Sequence, residues 1–76
     1  MNEPRRKALD DIANKIYVLS WELDELRREE QEYFDNMPEN LQCSERGERA
    51  EEAISSLEDA VDSLNSALES IGEAIG

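Results

Sequence analysis

Residues 51–75 read EEAISSL EDAVDSL NSALESI GEAI, one seven-residue phrase that is repeated in register and then begun again. Each phrase places a large aliphatic residue directly after an alanine and a second one three positions later. The large residues therefore alternate spacings of three and four, which is the pattern of a coiled-coil seam: Ile54, Leu57, Val61, Leu64, Leu68, Ile71 and Ile75. Small residues flank this seam in every repeat and allow a partner helix to come close: Ala53, Ala60, Ala67 and Ala74.

The first half of the chain carries a matching pattern of apolar residues. Spacings of three and four predict a seam through Leu9, Ile12, Ile16, Leu19, Leu23 and Leu26, continued by Glu30 and Tyr33. Pro4 suits a first helical turn. Pro38 ends the pattern, because the residue before a proline is pushed out of helical space. We predict one helix at about residues 5–34, a connection at about 35–44, and a second helix at about 45–74 with Ser44 as its N-cap.

A short connection between two helices of equal length predicts an all-α fold, an antiparallel two-helix coiled-coil hairpin that forms one domain over residues 1–76. For a chain of 76 residues, the gain from apolar burial and the cost of ordering the chain nearly cancel. We therefore expect the hairpin to associate into a dimeric four-helix bundle or a higher helical oligomer.

The net charge is −12, from 20 acidic and 8 basic residues. This charge disfavours direct binding to nucleic acid and to anionic membranes. The sequence contains neither a run of about twenty apolar residues nor a signal-peptide core, so we expect a cytoplasmic protein. In an antiparallel hairpin, the cations at 5–7 would lie beside Glu69 and Glu73. Arg46 and Arg49 would face the acidic end of the first helix.

The residue types needed for common catalytic sites are missing. The chain has no histidine, which removes the usual general base, the Ser-His-Asp triad and the commonest metal ligand. No spacing typical of a calcium loop or a phosphate-binding glycine loop is present. We predict no catalytic residue, no metal and no cofactor. Cys43 is the lone cysteine and is expected to be a reduced thiol, with an intermolecular disulfide as the alternative.

Two groups of residues are candidates for binding. Tyr17 and Trp21 lie four residues apart with Val18 between them, so they predict a second contact surface, either for another copy of the chain or for a ligand or partner. Near the connection, an aromatic pair and an arginine pair are typical of a site that stacks a flat group and holds an anion: Tyr33, Phe34, Asn36, Arg46 and Arg49. The alternative is that these aromatics cap the hairpin and the arginines pair with carboxylates.

The segment EYFDNMPENLQ at 32–42, followed by Ser44, Arg46 and Glu48, resembles a group of small acidic helical proteins from phages and mobile elements of Gram-positive bacteria. The resemblance covers about half of the chain and implies a genetic setting more than an activity. It favours a non-enzymatic protein that counteracts host defence by sequestering a nucleotide-type signal in a pocket between subunits. Two alternatives stay open: an acidic inhibitor or nucleic-acid mimic that occludes a host defence protein, and a structural coiled-coil adaptor.

Overall fold

The computed structural model describes residues 1–76 as three helices without a strand. Helix α1 spans Glu3–Asp35, α2 spans Glu39–Gln42 and α3 spans Glu45–Ile75. The long helices α1 and α3 lie side by side in opposite directions and form a rod of 58 × 15 × 13 Å. The all-helical hairpin is confirmed, and the long helices end within two residues of the predicted positions.

The helix ends are held by short-range hydrogen bonds. The side chain of Asn2 accepts a bond from the backbone N–H of Arg5 at 2.9 Å, and Pro4 lies in the first turn of α1. Ser44 occupies the N-cap position of α3 as predicted, but its side chain accepts no bond from that helix. Its hydroxyl instead donates to the backbone carbonyl of Leu41, which lies in α2. Ser44 therefore ties α2 to α3.

The connection is tightly packed at Gly47, which lies buried in the first turns of α3. A Cβ atom at this position would overlap the backbone of Gln42 in α2. Gln42 in turn donates its side-chain amide to the carbonyl of Phe34 at 3.0 Å. By helix propensity alone, a glycine only weakens the start of a helix. The structure shows that a glycine is needed there for the close approach of two backbones.

The repeat at 51–75 forms the core of the hairpin as predicted. Every large aliphatic residue of its seam is buried or half-buried, and Ile54 is the most enclosed at 7% exposure. Three residues of the alanine column, Ala53, Ala60 and Ala67, are half-buried beside the seam, whereas Ala74 is exposed. Helix α3 thus directs all of its large apolar side chains toward α1.

Helix α1 contacts α3 through a different face from the predicted one. The face that packs consists of two columns at seven-residue spacing, which we call the inner face: Leu9, Ala13, Ile16, Ser20, Leu23, Arg27, Glu30 and Phe34. The other half of the predicted seam lies at the edge of this contact and stays 46–56% exposed. We call it the outer stripe: Ile12, Leu19, Leu26 and Tyr33.

The difference arises because the column Leu9–Ile16–Leu23–Glu30 is shared by two apolar patterns. On one side of it lies the outer stripe, and on the other lies a column that begins with Ala13 and Ser20 and ends with Phe34. Small residues let the helix axes approach. Phe34 is half-buried at the loop end of the hairpin, where the buried Met37 donates its backbone N–H to the Phe34 carbonyl at 3.1 Å. A seam read from residue spacing alone does not tell which side α3 occupies.

None of the charges that the sequence places opposite one another on the two long helices closes to ion-pair distance. The four ion pairs all lie within a single helix, three in α1 around Asp24 and Glu25, and one between Arg49 and Glu45 in α3. None of the cations at 5–7 pairs with Glu69 or Glu73. The helices meet through apolar columns, and exposed pairs gain too little to order long side chains across the gap. Orientation is therefore set by the short connection and by packing.

Candidate functional site

The outer stripe makes α1 unlike α3. Apart from Met1, the large apolar residues that remain exposed all belong to α1: Ile12, Tyr17, Val18, Leu19, Trp21, Leu26 and Tyr33. Leu19 and Leu26, at the centre of the stripe, are 55% and 56% exposed. A continuous column of this kind on a helix is typical of a surface that packs against another helix.

The outer stripe and the alanine column of α3 lie on the same side of the hairpin. Tyr33, at one end of the stripe, lines a concave space together with Arg46, which occupies the alanine column one repeat before Ala53. Because residues seven apart share a helix face, the two columns run next to each other along the rod. We call this surface, large side chains on α1 beside alanines on α3, the outer face.

Polar groups interrupt the apolar contact near the middle of the hairpin. Ser20 is buried and donates its hydroxyl to the Asn65 side chain at 3.2 Å. One heptad later, Arg27 donates to the Asp24 carboxylate at 2.9 Å, with 23% and 29% of the two side chains exposed. This hydrogen bond holds the pKa of Asp24 below its usual range and raises the pKa of Arg27, to which the charge of Glu58 on α3 adds.

The loop-end pocket is the concave space that contains most of the predicted ligand-binding residues. Its volume is about 310 Å³, at the lower end of the range for small-molecule sites. Its lining brings together Tyr33, Arg46 and Arg49, with Glu30, Glu45 and Ala50 beside them. Arg49 is already paired with Glu45 at 2.7 Å. Two carboxylates thus balance the two guanidinium groups, and the pocket has no net positive charge.

The other two predicted ligand residues lie outside this pocket. Phe34 belongs to the inner face and is half-buried against α3. Asn36 is the C-cap of α1, where its backbone N–H bonds to the carbonyls of Glu32 and Phe34. The structure thus brings together three of the five predicted residues and places Phe34 and Asn36 elsewhere, because successive residues on a helix point in different directions.

The aromatic pair Tyr17 and Trp21 is exposed on the opposite side from the outer face. Both line a shallow groove of about 180 Å³ that also contains Val61 and Asn65 of α3. Val18 is separate from this groove and lines the surface beside Leu19 and Lys15. The predicted second contact surface is therefore two patches rather than one, with Val18 next to the outer stripe.

No group of three or more carboxylate, thiol or imidazole side chains is close enough to share a metal ion. Neither of the long helices contains a segment that is apolar enough to cross a membrane.

The geometry defines the molecule as a two-helix hairpin with an unpaired apolar face, and similarity to known proteins does not assign it to a narrower class. Comparison with protein-family models, with curated proteins and with solved structures found no match. The resemblance to small phage proteins therefore stays a prediction, as does the role in countering host defence.

Sequence reasoning missed three residues that shape these surfaces. Arg27 and Ser20 lie in the packed column, and their seven-residue spacing from Ala13 and Phe34 was the signal that a second seam exists. Met37 is buried at the loop end. No spacing pattern marks it, because it lies outside both helical repeats.

Proposed function

We propose that this chain is a non-enzymatic protein-association module that binds an amphipathic helix on its outer face. The observation that carries the proposal is the distribution of exposed apolar residues, all seven of those within the helices being on α1. Four of them repeat at seven-residue intervals, which is the spacing of a helix-binding seam rather than of scattered surface residues.

The surface area supports the proposal. A compact monomer of this mass, 8.7 kDa, exposes about 4,700 Å². The hairpin exposes 5706 Å², because it is only one helix layer thick. The surplus of roughly 1,000 Å² is similar to the area that one partner buries in a standard protein interface, about 800 Å².

A labelled peptide of about four heptads, with leucine at both apolar positions of each, is a suitable helix probe. We expect its fluorescence anisotropy to rise on addition of the wild-type chain. The double variant Leu19→Glu/Leu26→Glu should abolish the rise, because charged groups replace the centre of the stripe. The control Ser55→Glu/Ser66→Glu adds the same charge at exposed positions of α3 outside the outer face and should bind normally. Equal binding by both double variants would refute the proposal.

A second candidate function is the capture of a small anionic ligand at the loop-end pocket, in line with the predicted sequestration of a nucleotide-type signal. The observation in its favour is that Tyr33, Arg46 and Arg49 line one concave space. An aromatic ring and a guanidinium group suit the base and the phosphate of a nucleotide. Glu30 and Glu45 in the same lining oppose an anion, so this function ranks below helix binding.

Calorimetry with ADP-ribose and with cyclic nucleotides tests this second function. If it is correct, heat of binding appears with the wild-type chain and is lost in Arg46→Ala, while Arg5→Ala serves as a charge-matched control outside the pocket. Absence of heat with every nucleotide would eliminate it.

The hypothesis that the chain mimics nucleic acid rests on its charge. All seven acidic residues beyond position 50 are exposed on α3, a surface that the nucleic-acid mimic hypothesis would use. Their spacing is wider than that of DNA phosphates, about one per 1.7 Å along the duplex. A salt-sensitive complex with a DNA-binding host protein is the result that this hypothesis requires.

A further inference from the structure

We infer that the outer face is covered by a second copy of this chain, with its α1 antiparallel to the first α1. This inference rests on the proposed function and names the helix that the outer face binds. The resulting dimer contains four helices, in which the α1 helices meet along their outer stripes and the alanine columns of the two α3 helices face each other.

The stripe has the symmetry that such a dimer needs. Its four residues are evenly spaced at seven-residue intervals, so an antiparallel copy matches all of them at once around a two-fold axis. Ile12 then lies opposite Tyr33 of the second copy, and Leu19 lies opposite Leu26. Shifting the copy by one heptad leaves an apolar end residue without a partner. The unshifted register therefore buries the most apolar surface.

Charges along the edge of the stripe favour the antiparallel orientation. Lys15, Glu22 and Glu29 form a column at seven-residue spacing directly beside it. In the antiparallel dimer, Lys15 of each copy lies next to Glu29 of the other, which gives two attractive pairs against one repulsive contact between the Glu22 side chains. In a parallel dimer, two-fold symmetry would place this column on opposite edges of the interface in the two copies, so Lys15 and Glu29 would not meet and the two attractive pairs would be lost.

The unpaired cations at the start of α1 agree with this orientation. Arg5, Arg6 and Lys7 form no ion pair within the chain, and they lie at the helix end where a positive charge is unfavourable. In the antiparallel dimer Arg5, which continues the outer stripe one heptad before Ile12, reaches the loop end of the second copy, which carries acidic residues such as Asp35 and Glu39. Folding of one copy alone leaves these charges without partners.

Helix α3 does not offer an equivalent partner for the stripe. It exposes no large apolar residue, and its alanines give a flat surface. The only exposed column of large apolar residues available to a second copy is the stripe itself. Alanines on the facing α3 helices then allow those helices to approach as the stripes close.

Analytical ultracentrifugation of the whole chain gives the first test. We expect twice the chain mass of 8.7 kDa for the wild type and for the control Ser55→Glu/Ser66→Glu. Leu19→Glu/Leu26→Glu should weaken the dimer by at least about 100-fold, because four leucine side chains lose their burial. Both leucines are exposed within one hairpin, so circular dichroism should show unchanged helix content for this variant.

Cross-linking tests the orientation. In a Cys43→Ser background, a mixture of the Lys15→Cys and Glu29→Cys chains should be joined by a short bifunctional maleimide, whereas Lys15→Cys alone should not be. Cross-linking of Lys15→Cys to itself would overturn the antiparallel arrangement. A dimer in which neither combination reacts would overturn the antiparallel pairing of stripe with stripe.

The two proposals fail in different ways. If the wild-type chain is still monomeric at about 100 μM, a hundredfold above a micromolar Kd, but binds the heptad peptide, the second copy is excluded and the association module stands. If the chain neither dimerises nor binds the peptide, both are wrong.

Discussion

The two long helices have nearly the same length, 33 and 31 residues, but they treat their apolar residues differently. Helix α3 has one seam, and the hairpin uses all of it. Helix α1 has two seams that share one column, and the hairpin uses only the inner face. The comparison teaches that α3 uses its whole apolar face in the hairpin, whereas α1 contributes one apolar face to the hairpin and leaves a second one exposed.

The sharpest test of this division of roles truncates one large aliphatic side chain to alanine on each long helix and compares the losses of stability. Ile54→Ala in α3 removes a side chain that is 7% exposed, and such truncations cost about 2–5 kcal/mol. Leu26→Ala in α1, at 56% exposure, should cost under about 1 kcal/mol in the monomer. Urea unfolding followed by circular dichroism measures both, at concentrations low enough to exclude association. Equal losses would mean that α1 has no spare seam.

Substitution of the two internal glycines of α3 distinguishes the effect of tight packing from the effect of helix propensity. Gly47→Ala should destabilise the hairpin by roughly 1–3 kcal/mol, since the new methyl group meets the backbone of Gln42 rather than a side chain that can move. Gly72→Ala is the matched control: nothing lies within 4 Å of its Cβ position. It should gain up to about 1 kcal/mol from improved helix propensity. Thermal unfolding of the two variants should therefore shift in opposite directions.

Removal of the polar contact between the helices is expected to have a smaller effect on the free energy of unfolding. Ser20→Ala removes the hydrogen bond to Asn65 and should lower the free energy of unfolding by about 0.5–1.5 kcal/mol. The loss stays moderate because Asn65 is exposed and can bond to water instead. A double-mutant cycle with Asn65→Ala isolates the pair. A coupling energy near zero would show that the serine acts only by being small.

The smallest expected effect is on the pH dependence of the free energy of unfolding. The pKa of Asp24 is lowered in the folded chain, chiefly by its hydrogen bond with Arg27. A lowered carboxyl pKa adds stability above the unfolded value, about 3.9, and the contribution is lost as the pH falls through the folded value. The stability difference between the wild type and Asp24→Asn should therefore shrink below about pH 4. NMR titration of the Asp24 carboxyl carbon measures the lowered pKa directly.

The sequence predicts the hairpin well because the signals for it are local. The repeat from Ile54 to Ile75 and the break at Pro38 define the helices, and neither depends on distant contacts. The face that α1 turns toward α3 was not predictable from spacing, because Leu9, Ile16 and Leu23 belong to both seams. That choice depends on Phe34 and on the approach allowed by Ala13 and Ser20, which are properties of the packed pair.

The candidate site was predicted in part for the same reason. Tyr33, Arg46 and Arg49 converge because the hairpin turns at a known place. Phe34 and Asn36, although adjacent in sequence to Tyr33, point elsewhere because each residue advances about 100° around a helix. The exposure of Leu19 and Leu26, which carries the proposed function, follows only once the inner face is known.

The lack of any ion pair between α1 and α3 has a consequence for how the protein responds to ionic strength. With a net charge of −12 and a rod only 15 Å wide, charges on both helices repel one another at low salt, where the screening length is about 30 Å at 0.01 M. Added salt screens this repulsion and weakens only longer-range attractions between the helices, such as that of Glu58 for Arg27, with no interhelical ion pair to break. The hairpin is built to become more stable as the surrounding solution becomes saltier.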